Sequence, residues 1–182
     1  MKQVKFTGNP KGMKDVVYDV LSKTIKLDSH DLYLTGADTT MYSKRGRYLH
    51  RLPEFKELTD FVLETSKELH DHVRIAMCWS NVYPKDSYIR IHNHITFKEL
   101  TSAVFYLQGD GVLNFEDGAV DVKEGDVLFF PGVKKHWSKP NPSTTDRIIV
   151  GFDLYYGDMT DQEFATAMEE HETFLPSVDF FA

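Results

Sequence analysis

Residues 87–94 read Ser87-Tyr88-Ile89-Arg90-Ile91-His92-Asn93-His94, and residues 147–154 read Arg147-Ile148-Ile149-Val150-Gly151-Phe152-Asp153-Leu154. Side chains on a strand point alternately to its two faces. In the second stretch Ile148, Val150, Phe152 and Leu154 therefore form an apolar face suited to lie under helices. Arg147, Ile149, Gly151 and Asp153 form the other face, which is expected to look into the interior of a barrel. The same alternation puts His92 and His94 on one side of their strand. Further period-2 segments at 73–83, 102–108, 111–116, 119–123, 126–130 and 134–138 make eight expected strands with 87–94 and 146–156. Turn signals separate them: Pro84-Lys85-Asp86, Gly109-Asp110-Gly111, Glu116-Asp117-Gly118 and Glu124-Gly125. Many short strands at even spacing predict an all-β sandwich or jelly roll.

Outward from this β region the period changes to that of helices. Met13, Val16, Val17, Val20, Leu21 and Ile25 predict a helix over 12–25. Pro53 suits a first helical position, and Phe55, Leu58, Val62, Thr65 and Leu69 form one apolar stripe over 53–71. That stripe is core packing that needs a sheet to lie on. Between these helices Leu32-Tyr33-Leu34-Thr35 and Arg47-Tyr48-Leu49 read as short strands, with Ser43-Lys44-Arg45-Gly46 as a turn. After the strands, Thr160-Asp161-Gln162-Glu163 is a capping-box pattern. Phe164, Met168, His171 and Leu175 continue it as a helical stripe. The tail ending in Phe180-Phe181-Ala182 suits packing on the domain or on a second copy, as in a homodimer.

The 182 residues fit one domain. It is expected to comprise a mostly helical cover over 1–72, a β core over 73–156 and a C-terminal helix and tail over 157–182. The formal net charge of −7 disfavours nucleic acid and acidic membranes as partners. It leaves room for a small anion, which one arginine in a pocket can hold. Cys78 is the only cysteine, so no internal disulfide forms. With no apolar leader and no run long enough to span a membrane, a cytoplasmic location is expected.

Neutral imidazole is the commonest metal ligand. A lone His-x-His is usually two solvated side chains, but a third histidine, His136, follows in Gly125-x5-Pro131-Gly132-x3-His136. In a jelly roll such segments are neighbours, so His92, His94 and His136 are expected to hold one metal ion. Arg147 faces inward toward them as a candidate anion ligand. Tyr88 and Arg90 share the expected face of His92 and His94. With Trp79 and Asn81 they are candidates for contacting a substrate, although a strand-edge ion pair accounts equally for Arg90 and a core position for Trp79. Cys78 has nothing basic beside it and reads as a buried apolar residue.

Tyr83, the His-x-His, Ser102-Ala103-Val104-Phe105-Tyr106-Leu107, Phe129-Phe130-Pro131, His136 and Arg147 together resemble the Fe(II)- and 2-oxoglutarate-dependent oxygenases. The branch they are most similar to is the small bacterial and phage proteins related to prolyl hydroxylases. The resemblance covers roughly residues 53–156. It implies a double-stranded β-helix, a mainly β jelly roll of cupin-like form with covering helices. It implies Fe(II) on His92, residue 94 and His136, with the far carboxylate of 2-oxoglutarate on Arg147 and Tyr106. The activity implied is that of a dioxygenase that hydroxylates a C–H bond and releases succinate and CO2. Two positions depart from the pattern. His94 stands where the superfamily usually has Asp, and Ile149 stands where members often place a serine to share the co-substrate carboxylate. The alternative is a cupin that does not use 2-oxoglutarate, in which Glu99 would be a fourth ligand and Arg147 would have no task. A catalytically silent barrel that binds a metal or ligand is the third class.

Overall fold

The computed structural model describes residues 1–24, 34–94 and 98–174. Eleven strands and three α-helices are present among them. The large sheet is antiparallel, with β1 (Lys2–Lys5), β9 (Asp126–Pro131), β6 (Leu100–Gln108), β11 (Arg147–Tyr155), β4 (Arg74–Tyr83) and β3 (Asp38–Thr39) side by side in that order. A smaller sheet of β10 (His136–Ser138), β7 (Gly111–Phe115) and β8 (Gly118–Val122) covers its inner face. The pair β2 (Leu34–Thr35) and β5 (Tyr88–Ile89) lies beside β10, where the backbone N–H of Ile89 donates to Ser138 Oγ. The fold is a double-stranded β-helix.

The alternation of β11 sorts the two cores as expected. Ile148, Val150, Phe152 and Leu154 pack with Phe105, Phe129 and the buried faces of α1 (Met13–Lys23) and α2 (Lys56–Ser66). On the other side of the sheet Val104, Tyr106, Leu128 and Phe130 meet Leu113, Phe115 and Val122 from the small sheet. Cys78 is buried in the helix-side core, and burial pushes its thiol well above its usual range.

Several expectations need correction. The strand expected over 87–94 shrinks to Tyr88–Ile89, followed by one isolated bridge between His92 and His136. Arg47-Tyr48-Leu49 is not a strand. It lies within a chain of 3-10 turns over 40–55, with Tyr48 bridged once to Cys78. The helix expected over 53–71 begins as a 3-10 turn at Pro53–Phe55 and ends at Ser66, whose hydroxyl donates to Leu63 O. Leu69, expected in its stripe, is 40% exposed. The short strand β1 has no apolar signature in Lys2-Gln3-Val4-Lys5 and forms by backbone pairing along β9. The capping box of α3 (Asp161–Phe174) is made as expected: Thr160 N donates to Glu163 Oε2 at 2.8 Å, and Glu163 N to Thr160 Oγ1 at 3.3 Å. Ile25, Leu32-Tyr33 and the Phe180-Phe181 tail fall outside the described residues. Among the described residues no helix is long and apolar enough to cross a membrane.

Candidate active site

The inward face of β11 forms the floor of a cleft between the two sheets. Arg147, Ile149, Gly151 and Asp153 stand opposite Tyr83, Asn81, Trp79 and Met77 on β4. On the β6 side, Ile149, Gly151 and Asp153 stand opposite Tyr106, Val104 and Ser102. The floor thus runs from a cation at one end to a carboxylate at the other, three two-residue steps or roughly 20 Å of strand. The glycine in the middle is spatial in origin. A Cβ at Gly151 would come within 2.9 Å of the Trp79 indole, which lies across the strand there. His92, His136, Ser138, Ile89 and Leu113 close the cleft from the small-sheet side.

The three histidines converge. One ligand atom from each lies within 4.8 Å of the others. A bound ion at roughly 2.0–2.1 Å from each imidazole nitrogen would draw them closer together. Each ring is already oriented through Nδ1. His92 Nδ1 donates to Arg90 O at 2.9 Å and His136 Nδ1 to Lys134 O at 3.0 Å. A carbonyl oxygen only accepts, so these bonds put the proton on Nδ1 and make Nε2 the basic nitrogen. His94 Nδ1 meets Asp153 Oδ1 at 2.6 Å. Burial, with help from the neighbouring His94, pushes His92 down to about 4. Burial, then His92 and His94, pushes His136 down to about 2. Both rings are therefore neutral at ordinary pH, as ligation requires. Burial also pulls on His94, but the charge and hydrogen bond of Asp153 outweigh it and its pKa lies above the ordinary value. Geometry, tautomers and donor set all fit a metal ion. Glu99 does not join this group among the described residues.

At the other end, Arg147 is 4% exposed. Its Nη2 donates to Ser138 Oγ at 3.1 Å and to Lys139 O at 3.2 Å. Its guanidinium carbon lies 4.8 Å from the centre of the Tyr83 ring. Among the described residues no carboxylate stands within ion-pair distance of it. Asp153, the acidic residue on its own face, is engaged with His94 instead. Gly111 leaves room for this cluster, since a Cβ there would meet the Tyr106 ring at 2.9 Å and Arg147 Cδ at 3.3 Å. Burial raises the Tyr83 phenol to about 12 and raises Tyr106 as well, so both remain O–H donors beside the cation. Asn81 Nδ2 donates to Tyr83 OH at 3.1 Å, while its buried Oδ1 has no partner. An orphaned polar atom in a cleft is a place for a ligand group.

The expected substrate contacts divide. Trp79 and Asn81 line the cleft. Tyr88 and Arg90 do not: the strand breaks after Ile89, so Ile89 takes the inward place while Arg90 is exposed. Sequence reading missed Ser138 and Ser102. The signal for Ser138 was available, because it lies two residues after His136 on the same strand face. Ser102 needed the cross-strand register with Asp153.

Neither a family model nor a curated protein matches the sequence. Solved structures do match in fold. One is HygX from Streptomyces hygroscopicus with nickel and 2-oxoglutarate bound, at a TM-score of 0.62 and 14% identity over 87% of this chain and 84% of that one. The same protein with hygromycin B also bound matches equally. Another is the viral collagen prolyl hydroxylase of Paramecium Bursaria Chlorella virus-1 in its 2OG complex, at 0.57 and 14% over 86% and 96%. At these identities the likeness is one of fold.

Proposed function

We propose that the protein is an Fe(II)- and 2-oxoglutarate-dependent dioxygenase. The observation that carries this reading is Arg147, a buried guanidinium without an anionic partner among the described residues, on the same inward face that leads to the three histidines. A buried charge left unpaired costs several kcal/mol, so an acidic ligand is expected there. The neighbouring fold relatives were captured with 2-oxoglutarate, which has a carboxylate at each end to meet a cation and a metal. His92, His94 and His136 would hold the iron and leave positions on its open side. Arg147 would take the distal carboxylate in the bidentate geometry that guanidinium favours. Tyr106 and Tyr83 add O–H donors, and Ile149, Val104 and Leu113 keep water from the space between. With O2 as the oxidant, bound Fe(II) and 2-oxoglutarate would supply oxidative decarboxylation to succinate and CO2 coupled to hydroxylation of a substrate C–H bond, one oxygen atom entering succinate and the other the substrate. Trp79 and Asn81, which line the cleft, would position that substrate.

The test is spectroscopic. Protein loaded with Fe(II) under anaerobic conditions should develop a visible charge-transfer band when 2-oxoglutarate is added, and should release succinate once oxygen is admitted. No band at saturating metal and co-substrate removes the assignment.

A further inference from the structure

Position 94 is where the resembled family calls for a carboxylate ligand and this chain offers an imidazole. A carboxylate is nonetheless present, one hydrogen bond further out. Asp153 is 2% exposed and its Oδ1 lies 2.6 Å from His94 Nδ1. Ser102 Oγ donates to the same oxygen at 3.2 Å and lies 3.0 Å from the ring nitrogen. Asp153 arrives from β11 and Ser102 from the register position opposite it on β6, so two adjacent strands of the large sheet hold the contact. Among the described residues no lysine or arginine pairs with Asp153; its ion-pair partner is His94.

We infer that Asp153 supplies, from outside the coordination sphere, the negative charge that a ligand at position 94 would otherwise bring. Three neutral imidazoles leave both charges of a divalent ion uncompensated in a buried site. A carboxylate one hydrogen bond behind His94 reduces the count by one, as a carboxylate ligand does. It acts as a positioning residue. It accepts the Nδ1 proton of His94, aims Nε2 at the ion and makes that nitrogen more basic, as carboxylates behind metal-bound histidines do. Ser102 adds a second hydrogen bond to that carboxylate oxygen. The inference rests on the metal reading of the three histidines and is independent of 2-oxoglutarate.

The test measures Co(II) binding, by calorimetry and by Co(II) ligand-field absorption, in the unaltered protein and in Asp153→Asn, His94→Asp and the double variant. Asp153→Asn should weaken Co(II) binding by roughly 10–100-fold, the scale for losing such a partner. His94→Asp brings a carboxylate to the ion itself and removes the imidazole through which Asp153 acts, so it should keep Co(II) binding. In that background the further change Asp153→Asn should cost less than about tenfold, against the larger loss it causes when His94 is present. A role confined to packing would give the same loss in both backgrounds. Equal affinity in Asp153→Asn overturns the inference, as does an equal loss with and without His94. If Asp153→Asn does not fold, Asp153→Glu decides: it keeps the charge and changes the packing, so Co(II) binding within about tenfold of the unaltered protein supports the inference and a larger loss overturns it. Unaltered protein that binds no Co(II) overturns the metal reading as well, so the two failures are distinguishable.

Discussion

His92 and His136 hydrogen-bond to each other through their backbones in both directions. His92 N donates to His136 O at 3.0 Å, and His136 N to His92 O at 2.9 Å. This single antiparallel bridge sets the two imidazoles side by side, with ring centres 4.1 Å apart. The spacing of two proposed ligands is therefore built into the main chain and does not depend on their side chains.

It follows that His136→Ala should keep the bridge and the fold while losing the metal. Metal content after dialysis should fall to background while the apoprotein's melting curve stays cooperative. Full retention of metal would remove His136 from the site. Glu99→Gln should leave metal affinity unchanged, since Glu99 stands apart from the three histidines; a clear drop would favour the cupin reading.

Arg147→Ala should weaken 2-oxoglutarate binding to the metal-loaded protein by on the order of 2–5 kcal/mol, the scale for truncating one side of a buried charge pair. Metal affinity should be unaffected. Titration calorimetry with an inert divalent ion reads both quantities. Equal 2-oxoglutarate affinity in the variant would make Arg147 a structural residue.

Ser138 is expected to take on part of the task that Ile149 cannot perform. Its oxygen accepts from Arg147 Nη2 and from Ile89 N, so its own proton is the group it can donate. Ser138→Ala should cost about 1–3 kcal/mol of 2-oxoglutarate affinity, the range for a hydrogen bond to a charged group. Loss of metal rather than of co-substrate would contradict this role.

Stability of the apoprotein should depend on the histidines. His136 and His92 are held at about 2 and about 4, below the roughly 6.5 of an unfolded histidine. The unfolded chain then binds more protons than the native one between these values, so stability is lost as pH falls from about 6.5. His136→Gln should flatten that part of the melting-temperature profile. An unchanged slope would mean that His136 titrates normally in the native state.

Gly151→Ala should displace Trp79, because the added Cβ would lie 2.9 Å from its indole. The expected cost is about 1–3 kcal/mol, as for overpacking elsewhere. Tryptophan fluorescence should shift with it. A Gly151→Ala/Trp79→Phe pair should regain part of the loss, and failure to do so would place the strain elsewhere.

The sequence by itself determined a sandwich or jelly roll of short strands and the sidedness of its last strand, while the double-stranded β-helix was what the family resemblance implied. A period of two repeated over many short segments has few packed solutions, and Ile148, Val150, Phe152 and Leu154 can bury themselves only under helices. It also brought His92, His94, His136 and Arg147 forward, because ligand chemistry is written in residue type and spacing. It did not determine which polar groups pair. Asp153 was available to Arg147 or to His94, and only the register of β11 against β6, which sets it opposite Ser102, takes it to His94 and leaves the guanidinium without a carboxylate. Nor did alternation predict the break after Ile89, which turns Tyr88 and Arg90 out of the cleft. There the strand is held by one bridge to β10, and pairing between segments more than forty residues apart overrides the local period. Partner choice and strand interruption are decided by long-range register, which tertiary packing sets.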